Sequence, residues 1–67
     1  RESRAEELRL MAITAAENVK RQGKPIKLNP MSPREGRIVH LAIAEDELIR
    51  TESEGYGEHR QVVIHPK

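Results

Sequence analysis

The spacing of apolar residues divides the chain into two helices and three short strands. Over residues 4–22 apolar side chains recur at steps of three and four, which is the spacing of one helix face. These side chains are Leu8, Met11, Ala12, Ala15, Ala16 and Val19. Ser3, followed three residues later by Glu6, is typical of a helix start. Gly23 predicts the end of this first helix.

A second helix begins with the strongest start signal in the chain. Ser32 is placed to cap the helix, Pro33 occupies the first helical position, and Glu35 follows three residues after the cap. Three apolar residues of this helix share one side and are expected to face the core: Ile38, Leu41 and Ala42. Gly36 and His40 are then expected one turn apart on the opposite side.

Alternating side chains predict strands at residues 25–28, 48–54 and 60–65, with a hairpin turn at residues 55–59. One face of the middle strand carries Ile49, Thr51 and Ser53. In the last strand, Val62 and Ile64 face away from Gln61, Val63 and His65.

The element order of helix, strand, helix, strand, strand predicts a small α+β domain. A three-stranded sheet with both helices packed on one face is the simplest arrangement that buries one apolar face of each element. The 67 residues are expected to form one domain, residues 1–67. Because the chain starts with a charged helix and no Met, we expect it to be a piece of a longer chain. No apolar run approaches the roughly 18 residues of a membrane span, so none is expected.

Composition argues against catalysis and against a metal site. The chain has no Cys, and His40, His59 and His65 do not fall at the spacing of helical metal ligands. The sequence also lacks a nucleophile elbow and a glycine-rich phosphate loop. We therefore expect a protein that is not an enzyme and that needs no cofactor.

Charge limits any contact with nucleic acid to a local one. The formal net charge is only +1, whereas phosphate neutralisation supplies most of the affinity of strongly basic domains. Tyr56 is the single aromatic residue, which excludes a base-stacking platform built from several aromatics. The basic run Lys20, Arg21, Lys24 and Lys27 fits either a phosphate track or, more simply, a solvated helix end.

Two motifs give the chain a family resemblance. The segment Ser32–His40 and the later pattern Thr51-x-Ser53-x-Gly55, followed by Arg60, resemble the closing domain of the Jag (SpoIIIJ-associated) proteins. This module is named for an Arg-x-x-x-His signature and is called R-three-H here. The resemblance extends along nearly the whole chain, but the signature Arg position, four residues before His40, is Gly36.

The resemblance implies a phosphate or nucleotide site built around the second helix. Its expected binding residues are Arg37, His40, Thr51, Ser53 and Arg60. An Arg supplies a planar fork of donors for phosphate oxygens, and a His adds another donor. Arg37 adjoins Gly36 but is turned by about 100° around the helix. His40 alternatively bonds a neighbouring loop or strand, the hydroxyls and Arg60 alternatively serve the hairpin, and Gly55 is assigned to turn geometry.

The resemblance also implies a function: non-catalytic binding of single-stranded RNA or DNA by a bacterial cytoplasmic protein. The domain would normally follow a KH domain in the same chain, and two weak binders on one chain raise each other's effective concentration. The alternative is a protein-interaction or structural module that has lost nucleic-acid binding. Gly36, the low net charge and the scarcity of aromatics favour it, and Leu10 and Ile13 could form its docking patch.

Overall fold

The computed structural model describes residues 3–67, apart from the side chain of Glu58. Its elements are α1 (Arg4–Gln22), β1 (Ile26–Lys27), α2 (Pro33–Ile43), β2 (Ile49–Glu54), a 3-10 turn (Gly57–His59) and β3 (Gln61–Pro66). The predicted order and the α+β class are therefore confirmed. The first strand is shorter than expected, and the other two begin one residue later than the sequence pattern indicates.

The sheet is antiparallel, and its central strand is the last one in the chain. The strand order is β1-β3-β2, with Ile64 opposite Ile26 on one side and Thr51 on the other. Side chains of Val62 and Ile64 point to the face that carries both helices, where they join the core. Val63 is also buried, although it lies on the opposite, open face.

Helix α1 has the limits that its sequence predicts. The Ser3 hydroxyl accepts a hydrogen bond from Glu6 N at 3.2 Å, and Gly23 ends the helix with φ at +70°. Its buried residues are Leu8, Ala12, Ala15, Ala16 and Val19. Because three of these are alanines, α2 can approach α1 closely. Met11 was expected on the same buried face but is exposed. Within residues 3–67 no helix is both long and apolar enough to cross a membrane.

Helix α2 starts as predicted but is rotated differently about its axis. Ser32 and Glu35 form the capping box, with Glu35 N donating to Ser32 Oγ at 3.2 Å and Ser32 N donating to Glu35 Oε1 at 3.3 Å. The expectation that Leu41 faces the core is wrong, because its side chain is 65% exposed. Val39 and Ile43 enter the core instead. The difference amounts to one residue of helical phase, about 100°.

Gly36 lies on the inward side of α2. The sequence pattern placed it on an exposed side, whereas the structure buries it against the central strand. A Cβ atom at this position would lie 3.5 Å from Val62 Cγ2, which is ordinary van der Waals contact. The backbone of α2 therefore passes Val62 of β3 at position 36 with room for one methyl group between them.

The open face of the sheet is covered by ion pairs. Lys27 Nζ reaches Glu54 Oε1 at 3.1 Å across the central strand, and Arg50 donates to Glu52 at 2.9 Å. His65 Nε2 lies 3.0 Å from the second Glu52 oxygen. The Arg50 hydrogen bond is the main reason that the pKa of Glu52 is lowered. The charges of this face largely satisfy one another.

A partly buried ion pair joins the end of α1 to the loop after α2. Lys20 Nζ donates to Asp46 Oδ2 at 2.7 Å, and Leu48 N donates to Asp46 Oδ1 at 3.0 Å. The Lys20 hydrogen bond first, and the Leu48 amide second, lower the pKa of Asp46 below its ordinary value of 3.8. The exposed carboxylate of Glu17 also contacts Lys20, at 3.1 Å.

We expect Gly36→Ala to raise the free energy of unfolding by about 0.5–1 kcal/mol, because Ala is the better helix former and its Cβ fits against Val62. Urea denaturation measures the change. Gly55→Ala is the control with the opposite sign. Gly55 has φ at +87°, and a Cβ there would lie 2.8 Å from His59 O, so that variant should lose about 1 kcal/mol or more. A loss of stability in Gly36→Ala would contradict the packing described.

The Asp46 interaction should make stability dependent on pH. A carboxylate with a lowered pKa stabilises the fold above its unfolded-state pKa, and this stabilisation is lost as the pH falls through the folded-state pKa. We expect Asp46→Asn to destabilise the domain at pH about 6 and to reduce the difference in unfolding free energy between pH about 6 and about 3. Glu17→Gln is the matched control and should change this difference less. An unchanged difference in Asp46→Asn would exclude the Lys20 contact as its source.

Candidate functional site

An open cleft of about 820 Å³ lies between α2 and the two longer strands. It is lined by Pro33, Arg34, Gly36, Arg37, Ile38, His40, Leu41, Thr51, Glu52, Ser53, Arg60 and Val62. All five residues that the sequence indicated for binding are among them. The structure therefore brings together side chains from a helix, a strand and a hairpin that are up to 23 positions apart in the chain (from Arg37 to Arg60).

Helix α2 forms the first wall of the cleft. Gly36, Val39 and Ile43 face inward. The side chains of α2 that border the cleft lie beside this inward side. Arg37 is exposed there, and Arg34 lies one turn before it. Arg34 is not among the binding residues expected from the sequence, although its spacing of three residues from Arg37 is the signal of a shared helix face.

The strands form the second wall, and their register explains which side chains reach it. Thr51 pairs with Ile64 and Ser53 with Val62, so both hydroxyls point to the face that carries the helices. Arg60 precedes β3 and has its carbonyl bonded to Met31 N at 2.8 Å, which fixes its backbone. Its side chain is half-buried, and the Nε atom is buried without a hydrogen-bond partner among the described residues.

One side-chain hydrogen bond joins the two walls. His40 Nδ1 lies 2.5 Å from Thr51 Oγ1, and either atom can be the donor according to the tautomer of the ring. This contact agrees with the structural alternative for His40, a bond to a neighbouring strand. The imidazole is nevertheless exposed and lines the cleft. His40 therefore links the helix wall to the strand wall and keeps its ring exposed.

The cleft has a local excess of positive charge. Among the side chains that the structure describes, no carboxylate forms an ion pair with Arg34, Arg37 or Arg60. Glu52 also borders the cleft, but its carboxylate is engaged by Arg50 on the open face of the sheet. Unpaired guanidinium groups beside small hydroxyls are suited to an anion such as phosphate.

The basic run of the first helix is separate from this cleft. Lys20 is paired with Asp46 and Glu17, and Lys27 is paired with Glu54. None of the four residues of the run lines the cleft. This favours the simpler interpretation, a solvated helix end. No cluster of three potential metal ligands occurs within the part of the chain that the structure describes.

Comparison with known proteins agrees with the motifs. Residues 6–66 match the family model of the R-three-H domain. The chain is 41% identical over 64 residues to an RNA-binding protein KhpB of Clostridium symbiosum, and 38% identical over 64 residues to an RNA-binding protein KhpB of Lactiplantibacillus plantarum. Each alignment covers 96% of this chain, but only 29% and 20% of the two relatives. The chain therefore belongs to the R-three-H domain family.

Proposed function

We propose that this domain binds single-stranded nucleic acid, RNA in the first place, in the cleft between α2 and the strands, without catalysing a reaction. The observation that carries the proposal is the set of guanidinium groups on two facing walls that have no ion-pair partner among the described side chains. The names of the two relatives, both RNA-binding proteins, support RNA as the ligand.

The two walls would hold the phosphate backbone from opposite sides. Arg37 and Arg34 approach from the helix, and Arg60 approaches from the hairpin. Each guanidinium can donate two hydrogen bonds to one phosphate. Ser53 and Thr51 add hydroxyl donors beside them. His40 is positioned to support the strand wall and to contact the ligand with its exposed ring.

The chemistry of the cleft favours weak binding with little base preference. Among the described residues no Phe, Tyr or Trp lines it, and stacking on aromatics is the main sequence-tolerant source of affinity in single-strand binders. Phosphate contacts carry no sequence information and depend strongly on salt. A domain of this kind gains affinity when a second weak binder is linked to it.

The larger protein is part of the proposal. The chain spans less than a third of the length of the curated relatives that it matches. We propose that it is the C-terminal R-three-H domain of a cytoplasmic protein that also contains a KH domain. The KH domain would then supply the second contact with the same strand and raise the effective concentration of this one.

A second candidate function is a protein-interaction module. It is favoured by Leu10 and Ile13 on α1, whose side chains are 54% and 47% exposed, and by a shallow apolar groove that Leu10 shares with Ile26. The missing signature Arg at Gly36 points the same way. Titration of a single strand separates the two candidates, because only the first requires binding in the cleft.

We expect the domain to bind a fluorescent single-stranded RNA, with the slope of log affinity against log salt near −0.7 for each phosphate contact. Arg60→Ala should weaken binding by about tenfold, since a charge-assisted hydrogen bond is worth roughly 1.5–3 kcal/mol. Lys24→Ala removes an exposed charge outside the cleft and should have a smaller effect. Fluorescence anisotropy at several salt concentrations measures all three proteins. Equal losses in both variants would indicate diffuse charge attraction, and no binding at low salt would favour the interaction module.

The position where the family signature is interrupted gives a second test. We expect Gly36→Arg to raise affinity for single-stranded RNA, because the position lines the cleft and a long side chain there must leave the Val62 contact and turn into it. The gain should reach about tenfold if one charge-assisted contact to phosphate forms. Gly36→Ala is the control and should leave affinity unchanged. Equal affinities of the Arg and Ala variants would mean that the helix wall does not contact the ligand.

A further inference from the structure

Leu41 is an exposed apolar side chain inside a basic cleft. Its side chain is 65% exposed and lines the cleft, one helical turn after Arg37. Ile38, three residues earlier, is partly buried and lines the same wall. A single exposed Leu is ordinary on a protein surface. Here, however, two apolar side chains form a strip beside guanidinium groups that lack an ion-pair partner within the described part of the chain.

The cleft has a charged part and an apolar part, and a single-stranded nucleic acid has both kinds of surface as well. One part, with Arg37, Ser53 and Arg60, offers charge and hydrogen-bond donors. The other part, with Ile38 and Leu41, offers an apolar surface. A single strand has a charged backbone on one side and flat base faces with little polarity on the other. Unstacked bases are stabilised when a protein side chain packs against these faces.

The spacing on the helix allows one nucleotide to contact both parts. Cβ atoms four residues apart on a helix are separated by about 5–6 Å, so Arg37 and Leu41 are close neighbours on the same face. Burial of apolar area contributes to binding without dependence on counterions, unlike the phosphate contacts. The contributions of the two side chains can therefore be separated by experiment.

We propose that Leu41 is a base-contacting residue that packs against the face of a nucleobase while Arg37 holds a flanking phosphate. This inference rests on the proposed function, because it requires a single strand in the cleft. It assigns to an aliphatic side chain the role that aromatic residues have in other single-strand binders. The ligand group concerned is the base, and the contact does not require a particular base.

Leu41→Ala and Leu48→Ala form a matched pair for the test. The two leucines are 65% and 64% exposed, but only Leu41 lines the cleft. Each variant is titrated against a single-stranded RNA oligonucleotide and against an abasic RNA strand of the same length and charge. We expect Leu41→Ala to weaken binding to the base-bearing strand by about three- to tenfold. The salt slope should stay unchanged, and the abasic strand should not distinguish this variant from the wild type.

Leu48→Ala should match the wild type on both strands, and urea denaturation should show similar stability for all three proteins. Equal affinity of Leu41→Ala and Leu48→Ala for the base-bearing strand would overturn the base contact and leave the proposed function standing. An equal loss on the abasic strand would overturn it as well, because the contact would then be made to the backbone. If the wild type binds neither strand at low salt, the proposed function fails and the base contact fails with it.

Discussion

The packing of α2 against the central strand links the core of the domain to the wall of the cleft. Gly36 is buried on the inward side of the helix, where a Cβ atom would lie 3.5 Å from Val62 Cγ2. With this orientation of α2, Val39 enters the core, and Arg37 and Leu41 are turned toward the cleft. The packing of the core and the composition of the cleft wall are thus two consequences of one helix orientation.

Two hydrogen bonds, one near each end of the cleft, connect the helix wall to the strand wall. At one end Met31 N donates to Arg60 O, so the segment that leads into α2 is held to the hairpin strand by its backbone. At the other end His40 contacts Thr51 through their side chains. The backbone bond does not depend on which side chains stand at positions 31 and 60, proline at 31 excepted, whereas the His40 contact depends on two particular side chains. The end of the cleft near His40 is therefore the end that substitutions can open.

Local signals in the sequence predicted the elements, but they did not predict how α2 is rotated. The capping residues around Ser32 and the stop at Gly23 act within one turn of chain, so they can be recognised without knowledge of the fold. Five of the six residues at 38–43 are apolar, which fits more than one helical phase. The buried residue that decides between them is Gly36, and a glycine carries no hydrophobic signal. The pattern therefore also allows a phase in which Leu41 faces the core, and that phase is not the one in the structure. The binding candidates came from the family motif, and they lie together in one cleft.

The small net charge conceals two surfaces of different character. On the open face of the sheet, cations such as Lys27 and Arg50 are held by carboxylates on neighbouring positions. In the cleft, Arg37 and Arg60 have no such partners among the described side chains. The pairing of charges, rather than their sum, therefore decides where an anion can be held. Because these two guanidinium groups lie on opposite walls, their ability to bind one ligand together depends on the distance between α2 and β3. A change that separates the helix from the strand near Gly36 would weaken both the core and the hold on a ligand, even though it alters no charged residue.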